Sequence, residues 1–297
     1  MVLDEVSGEH EFYCCGARVL LSRGGIKVLS EPRVIYCPLM DLLYGVREIN
    51  AETVRQIVEM KVKGFGFCCE RRIFDPTAVV PYGSSEIIST CMEDGLIECG
   101  VTVCEGAGTV ITANPRLIQE IGARLTGIIR TSPVRSIMEY IERNGGIILD
   151  RENARISQEE GVLRAADMGY RRIAVTVAGF NSRSIEKIRQ IEGERRLEVA
   201  VFSVCNTCAS REDAEIIVSG ADVVCASASR IIREVVGPRA LMQLGTAIPV
   251  FVLTGLGKKL VLSYLNRFED KIVVFRTANL PYLVEGRGPK LREEDLK

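Results

Sequence analysis

Ile173-Ala174-Val175-Thr176-Val177 and Val199-Ala200-Val201-Phe202-Ser203-Val204 are two β-branched, apolar runs of strand length, with a helical stretch between them around Ile188-Arg189-Gln190-Ile191. A strand, a helix and a second strand at this spacing read as a βαβ unit, whose strands lie parallel. The pattern extends in both directions. Upstream lie Gly100–Val103, Gly127–Ile129 and Ile147–Leu149; downstream lie Val223–Val224, Pro249–Leu253 and Ile272–Phe275. Helix starts separate them. Asn50 precedes the apolar face Val54, Ile57, Val58 and Val62. Asn114-Pro115 precedes Leu117, Ile118 and Ile121, and Ser132-Pro133 precedes Ile137, Met138 and Ile141. Ser157 with Glu160 forms a capping box for a helix ending near Gly169. The fold class is α/β, a mostly parallel sheet with flanking helices.

The two halves of the chain resemble each other. Val54–Ile57 matches Ile188–Ile191, Val103-Cys104 matches Val224-Cys225, and Asn114-Pro115-Arg116 matches Gly237-Pro238-Arg239. This predicts an internal duplication, dividing the chain into an N-terminal segment (1–49), a first α/β half (50–150) and a second (151–284). A charged tail (285–297) with no apolar face is expected to be mobile.

Lys and Arg number 38 and Asp and Glu 39, a formal net charge of −1, so no basic footprint points to nucleic acid. No apolar run approaches the ~18–20 residues that cross a bilayer. The acidic start Met1–Glu5 lacks a signal peptide's basic and apolar segments, which places the protein in the cytoplasm. In that reducing compartment, eleven cysteines with two adjacent pairs, Cys14-Cys15 and Cys68-Cys69, do not describe a disulfide framework.

Several cysteines stand where a strand meets a turn, as in Val101-Thr102-Val103-Cys104-Glu105-Gly106-Ala107-Gly108-Thr109. A thiol held at the end of a buried strand lies where α/β proteins place ligands. The candidate thiolate set is Cys37, Cys68, Cys104 and Cys225, suited to zinc or an iron–sulfur cluster. The pair Cys205-x-x-Cys208 is a further candidate for metal or redox chemistry. The turn Glu105, Gly106, Gly108 and Thr109 and the stretch Gly83, Ser84 and Ser85, each read as leading into a helix, offer backbone amides to the phosphate or carboxylate of a cofactor. His10, in a polar stretch, reads as incidental. No residue is singled out as catalytic, and the oligomeric state is not legible.

Tyr36–Leu39, Phe65–Cys68, Val103–Ile111, Asp150, Ile173–Val177, Val224–Ser227 and Gly245–Phe251, in that order, resemble methanogenesis marker protein 8 over residues 16–275. The resemblance implies an archaeal setting, a link to methanogenesis and partners among its enzymes or assembly factors, but no activity. Three functions are therefore open: an accessory or maturation factor with a cysteine-held metal or iron–sulfur centre, a module for a phosphorylated or carboxylated cofactor, and a ligand-free scaffold.

Overall fold

The computed structural model describes residues 2–123 and 127–292. An antiparallel meander comes first, β1 (Glu9–Cys14), β2 (Ala17–Ser22) and β3 (Gly25–Val28), then β4 (Val34–Tyr36), α1 (Pro38–Tyr44), α2 (Ala51–Phe65) and α3 (Ser84–Glu93). The middle holds β5 (Cys99–Cys104), β6 (Gly108–Thr112), α4 (Pro115–Gly122), β7 (Gly127–Thr131), α5 (Arg135–Arg143), β8 (Gly146–Ile148) and α6 (Gln158–Asp167). There follow β9 (Arg172–Ala178), α7 (Arg183–Arg195), β10 (Glu198–Val204), α8 (Arg211–Gly220), β11 (Val223–Cys225) and α9 (Arg230–Val235). Then come β12 (Met242–Leu244), β13 (Val250–Val252), α10 (Gly255–Asn266) and β14 (Lys290–Leu291).

The main sheet has the order β12-β13-β11-β10-β9-β5-β6-β8. Its four central strands, β11, β10, β9 and β5, run parallel, and antiparallel strands extend it at each edge. Alternation along these strands feeds two cores. Ile173, Val175, Val177, Val199 and Val201 pack with α6 to α9 on one face. Ala174, Ala200 and Phe202 pack with α3, Ile118 of α4 and α10 on the other. The result is a helix–sheet–helix sandwich.

A second sheet, β3-β2-β1-β7, is antiparallel. Helix α2 covers it, placing Val54, Ile57, Val58 and Val62 in one cluster with Phe12, Val19 and Leu21. Asn50 starts α2 with a reciprocal capping box to Thr53, and Gly66 ends it.

Four expectations are corrected. The turn after Cys104 leads into the antiparallel strand β6, not into a helix. Helix α5 begins at Arg135, because Ser132 exchanges hydrogen bonds with the Glu9 backbone and Glu70 accepts the Ser136 amide instead. Ile272–Phe275 forms no strand, and Val273 and Val274 are exposed; Gln243 of the edge strand β12 binds the backbone of Tyr282 instead. The tail is tied down through residue 292. Lys290–Leu291 pairs with β4, and the Arg292 guanidinium donates to the Pro32 and Ile49 carbonyls. Residues 293–297 lie outside the described residues.

The matched halves keep one relationship: Cys104 ends β5 and Cys225 ends β11, the outer members of the parallel set. Their surroundings differ. Cys104 enters a hairpin and Cys225 a loop to α9, while α2 covers the small sheet and its match α7 the large one.

Candidate functional site

The cysteines divide by exposure. Cys68, Cys69, Cys91, Cys99 and Cys104 are fully buried, and Cys14 and Cys37 nearly so. Only Cys15, Cys205, Cys208 and Cys225 are partly exposed. These four belong to one seam, where the turn between β1 and β2 meets the carboxyl ends of β10 and β11.

Direct contacts build the seam. The Cys208 thiol lies 3.7 Å from the Gly16 carbonyl, next to Cys15. Asn206, fully buried, donates its side-chain amide to the Cys225 carbonyl at 2.7 Å and its backbone N–H to Ser227 Oγ at 3.0 Å. The Ser227 hydroxyl faces the Cys225 sulfur at 3.9 Å. Cys15, Cys205 and Ser227 hold φ of 52°, 53° and 51°, a left-handed region that non-glycine residues seldom occupy and that recurs at functional sites.

Lys61 lies on the buried face of α2, and its charge acts on Cys14, Cys15 and Cys205. Burial works against its ammonium, but the ionised forms of Tyr44 and these three cysteines outweigh it and raise the Lys61 pKa. A hydrogen bond with Cys15 brings Cys14 down to about 7, against burial and with help from Lys61. The same hydrogen bond, with burial, pushes Cys15 well up. Burial and the Cys225 charge push Cys205 up to about 12, opposed by Lys61. Burial raises Cys37, with backbone amides of Met40 and Leu39 pulling down and the charges of Cys225 and Cys14 adding. Cys225 is raised by burial and relieved by Ser227. Cys14 apart, the seam is thus a set of thiols that resist ionising one beside another, with the buried Lys61 ammonium acting on them.

Of the four cysteines expected to converge, the structure groups Cys37 with Cys225 and Cys68 with Cys104. The second pair belongs to a different environment, in which burial and the Glu105 carboxylate push both thiols well up. There Arg72 donates to Glu105 at 2.5 Å and lies over the rings of Phe65 and Phe74. Among the described residues, no three His, Cys, Asp or Glu side chains are arranged to hold one metal ion.

The glycine turn is occupied by the protein itself. Glu105 is the buried partner of Arg72, and the Gly106 amide donates to Thr131 Oγ1 at 2.7 Å. Gly108, at φ 72°, sits where a Cβ would fall 2.2 Å from the Ala154 carbonyl oxygen. Thr109 donates its hydroxyl to Gln158 at 2.9 Å and its N–H to the Arg155 carbonyl. Gly83 caps α3, and Ser84 is its first residue. Glu86 folds back over that helix start, accepting from the Ser85 hydroxyl and the Val80 N–H. Helix α4 intervenes between the two segments: Gln119 reaches Glu86, and the Glu120 carbonyl accepts from Arg72.

Four residues escaped the sequence reading of the site. His10 is fully buried, its Nδ1 2.6 Å from Thr131 Oγ1 and its Nε2 2.8 Å from the Ser7 carbonyl. Cys14 and Cys15 had a signal, a cysteine pair followed by glycine, as a hairpin turn requires. Lys61 had a stronger one. It falls in phase with Val54, Ile57, Val58 and Val62, on the face that must be buried.

A family described as an uncharacterized protein conserved in archaea (DUF2099) matches residues 10–266. The uncharacterized protein MJ0054 of Methanocaldococcus jannaschii is 35% identical over 276 residues, which cover 93% of this chain and 96% of that protein. Among the described residues, no helix is long and apolar enough to cross a membrane.

Proposed function

The chain belongs to this family of proteins conserved in archaea, and we propose that it binds a soft metal ion or an iron–sulfur centre at the thiol seam, as an accessory factor of methanogenesis. One observation carries the reading: every cysteine that reaches solvent lies in this seam. Cys14, Cys37 and the buried Lys61 act on the same group. The link to methanogenesis rests on the resemblance of segments such as Tyr36–Leu39 and Val224–Ser227 to methanogenesis marker protein 8.

The electrostatics favour a cation. Thiols held high by burial and by one another's charge ionise together only when positive charge enters among them. A zinc ion or iron–sulfur cluster supplies that charge and takes thiolate ligands. Four thiolates around one divalent ion leave excess negative charge, which the Lys61 ammonium offsets. The ligands on this reading are Cys15, Cys37, Cys225 and one or both of Cys205 and Cys208. Their side chains must turn inward to meet one ion. Cys68 and Cys104 take no part.

Purification without oxygen, followed by zinc, iron, nickel and sulfide analysis, tests the reading. Bound metal is expected, lost in Cys225→Ser and in the double variant Cys205→Ser/Cys208→Ser, and kept in Cys99→Ser. Metal uptake should release protons and weaken as pH falls. A protein without metal under these conditions, or with the same content in both seam variants, overturns it.

A further inference from the structure

The stretch Asp270-Lys271-Ile272-Val273-Val274-Phe275-Arg276 has the β-branched, apolar composition of a strand, and among the described residues no strand pairs with it. Every residue from 269 to 279 is exposed, with Val273 at 86% and Val274 at 87%. Four consecutive apolar side chains therefore meet water, an arrangement that marks a contact surface rather than scattered surface residues. Among the described residues, nothing hydrogen-bonds the backbone of 270–276 or pairs with the Asp270 carboxylate or the Arg276 guanidinium. The stretch is nonetheless held at both ends. Before it, Phe268 stacks on Tyr82, with ring centroids 5.6 Å apart. After it, Tyr282 donates its N–H to Gln243 Oε1 at 2.9 Å, and its carbonyl accepts from Gln243 Nε2 at 2.6 Å. Unpaired amides and carbonyls displayed on a segment fixed at both ends are a template for another strand.

We infer that this stretch pairs antiparallel, about a two-fold axis, with the same stretch of a second copy of the chain. The charges choose that occupant. Asp270 opens the stretch and Arg276 closes it, so an antiparallel copy sets each opposite its complement. Centred on Val273, the pairing places Asp270 against Arg276 twice and Ile272 against Val274 twice. Alternate residues of a strand share a face, so these four side chains form one side, apolar in the middle and ion-paired at both ends. A parallel copy in register would put like charges side by side, and so would the slip that sets Lys271 against Arg276. Phe275, on the other side, already meets Tyr282 of its own chain, with centroids 5.0 Å apart. The interface is small, so the dimer is weak and forms and parts with concentration. The inference does not rest on the reading of the thiol seam.

Sedimentation equilibrium of the full chain over a micromolar concentration series tests it. The mass should rise from monomer toward dimer, and Val274→Lys should abolish the rise. Because Val274 is exposed, that variant should melt like the wild type under dilute, monomeric conditions. Asp270→Arg and Arg276→Asp should each stay monomeric, since each sets like charges opposite one another. Their equal mixture should associate on the order of tenfold more tightly than either alone, because every end pair is then complementary. A wild type that is monomeric at every concentration overturns the inference and leaves the stretch to a strand of another protein. A dimer untouched by Val274→Lys, or a mixture no tighter than its separate components, overturns it equally.

Discussion

The side-chain amide of Asn206 donates to the Cys225 carbonyl at 2.7 Å, which locks the turn carrying Cys205 and Cys208 to the end of β11. The same residue accepts the Ser203 hydroxyl and donates its backbone N–H to Ser227. One buried side chain therefore sets the spacing of three thiols.

Asn206→Ala should destabilise the protein by about 1–3 kcal/mol, because the Ser203 hydroxyl and the Cys225 carbonyl lose partners where water is scarce. Urea unfolding should show a lower midpoint with an unchanged slope. Gly179→Ala should act in the same direction, since an added Cβ would fall 2.2 Å from Asn206 Oδ1.

Labelling of the folded protein with iodoacetamide, mapped by mass spectrometry, should modify Cys15, Cys205, Cys208 and Cys225. Cys68, Cys69, Cys91, Cys99 and Cys104 should react only after unfolding, because their thiols are fully buried and the reagent cannot reach them. Fast native labelling of Cys99 would contradict the packing described.

Burial lowers the His10 pKa below its ordinary value, although the Ser7 carbonyl and Glu105 work the other way. The folded state therefore resists protonation that the unfolded chain accepts. Stability from the neutral ring is fully present above pH ~6.5 and is lost as pH falls through the unfolded value toward the folded one. Thermal melts between pH 7.5 and 5 should show this loss, and His10→Asn should flatten it while lowering stability throughout.

Arg72→Met should cost about 3–5 kcal/mol by stranding the Glu105 carboxylate in the core. Pairing it with Glu105→Leu should recover much of that loss, since the desolvation of both charges disappears together. Chemical denaturation of the two single variants and the double variant checks the non-additivity.

Much of the large sheet could be read from the sequence because its strands alternate with capped helices. Asn50, Asn114 and Ser157 cap α2, α4 and α6 through local hydrogen bonds that need no tertiary context. The small sheet was hidden, since β1 finds β7 only across the chain, and Gly127–Ile129 has the same composition as the parallel strands. The run Ile272–Phe275 failed for the converse reason: β-branched residues favour a strand, but a strand also needs a neighbour. The site was half legible. Cys37 and Cys225 belong to the seam, and Cys205-x-x-Cys208 is part of it. Cys14 and Cys15 join through a hairpin turn, and Lys61 through helix phase, which no search for ligand spacing detects.

The pairing of Val34 with Leu291, and of Tyr13 with Gly127, has a consequence for biosynthesis. Translation makes the meander before β7, the partner of one of its edges, and β4 long before its partner β14. Such distant pairings are entropically slow to close. Until then the open edge of β1 and the Cys14-Cys15 turn are exposed to other nascent chains, the hazard that chaperones exist to manage. A chain cut short of Leu291 would leave β4 without its partner strand.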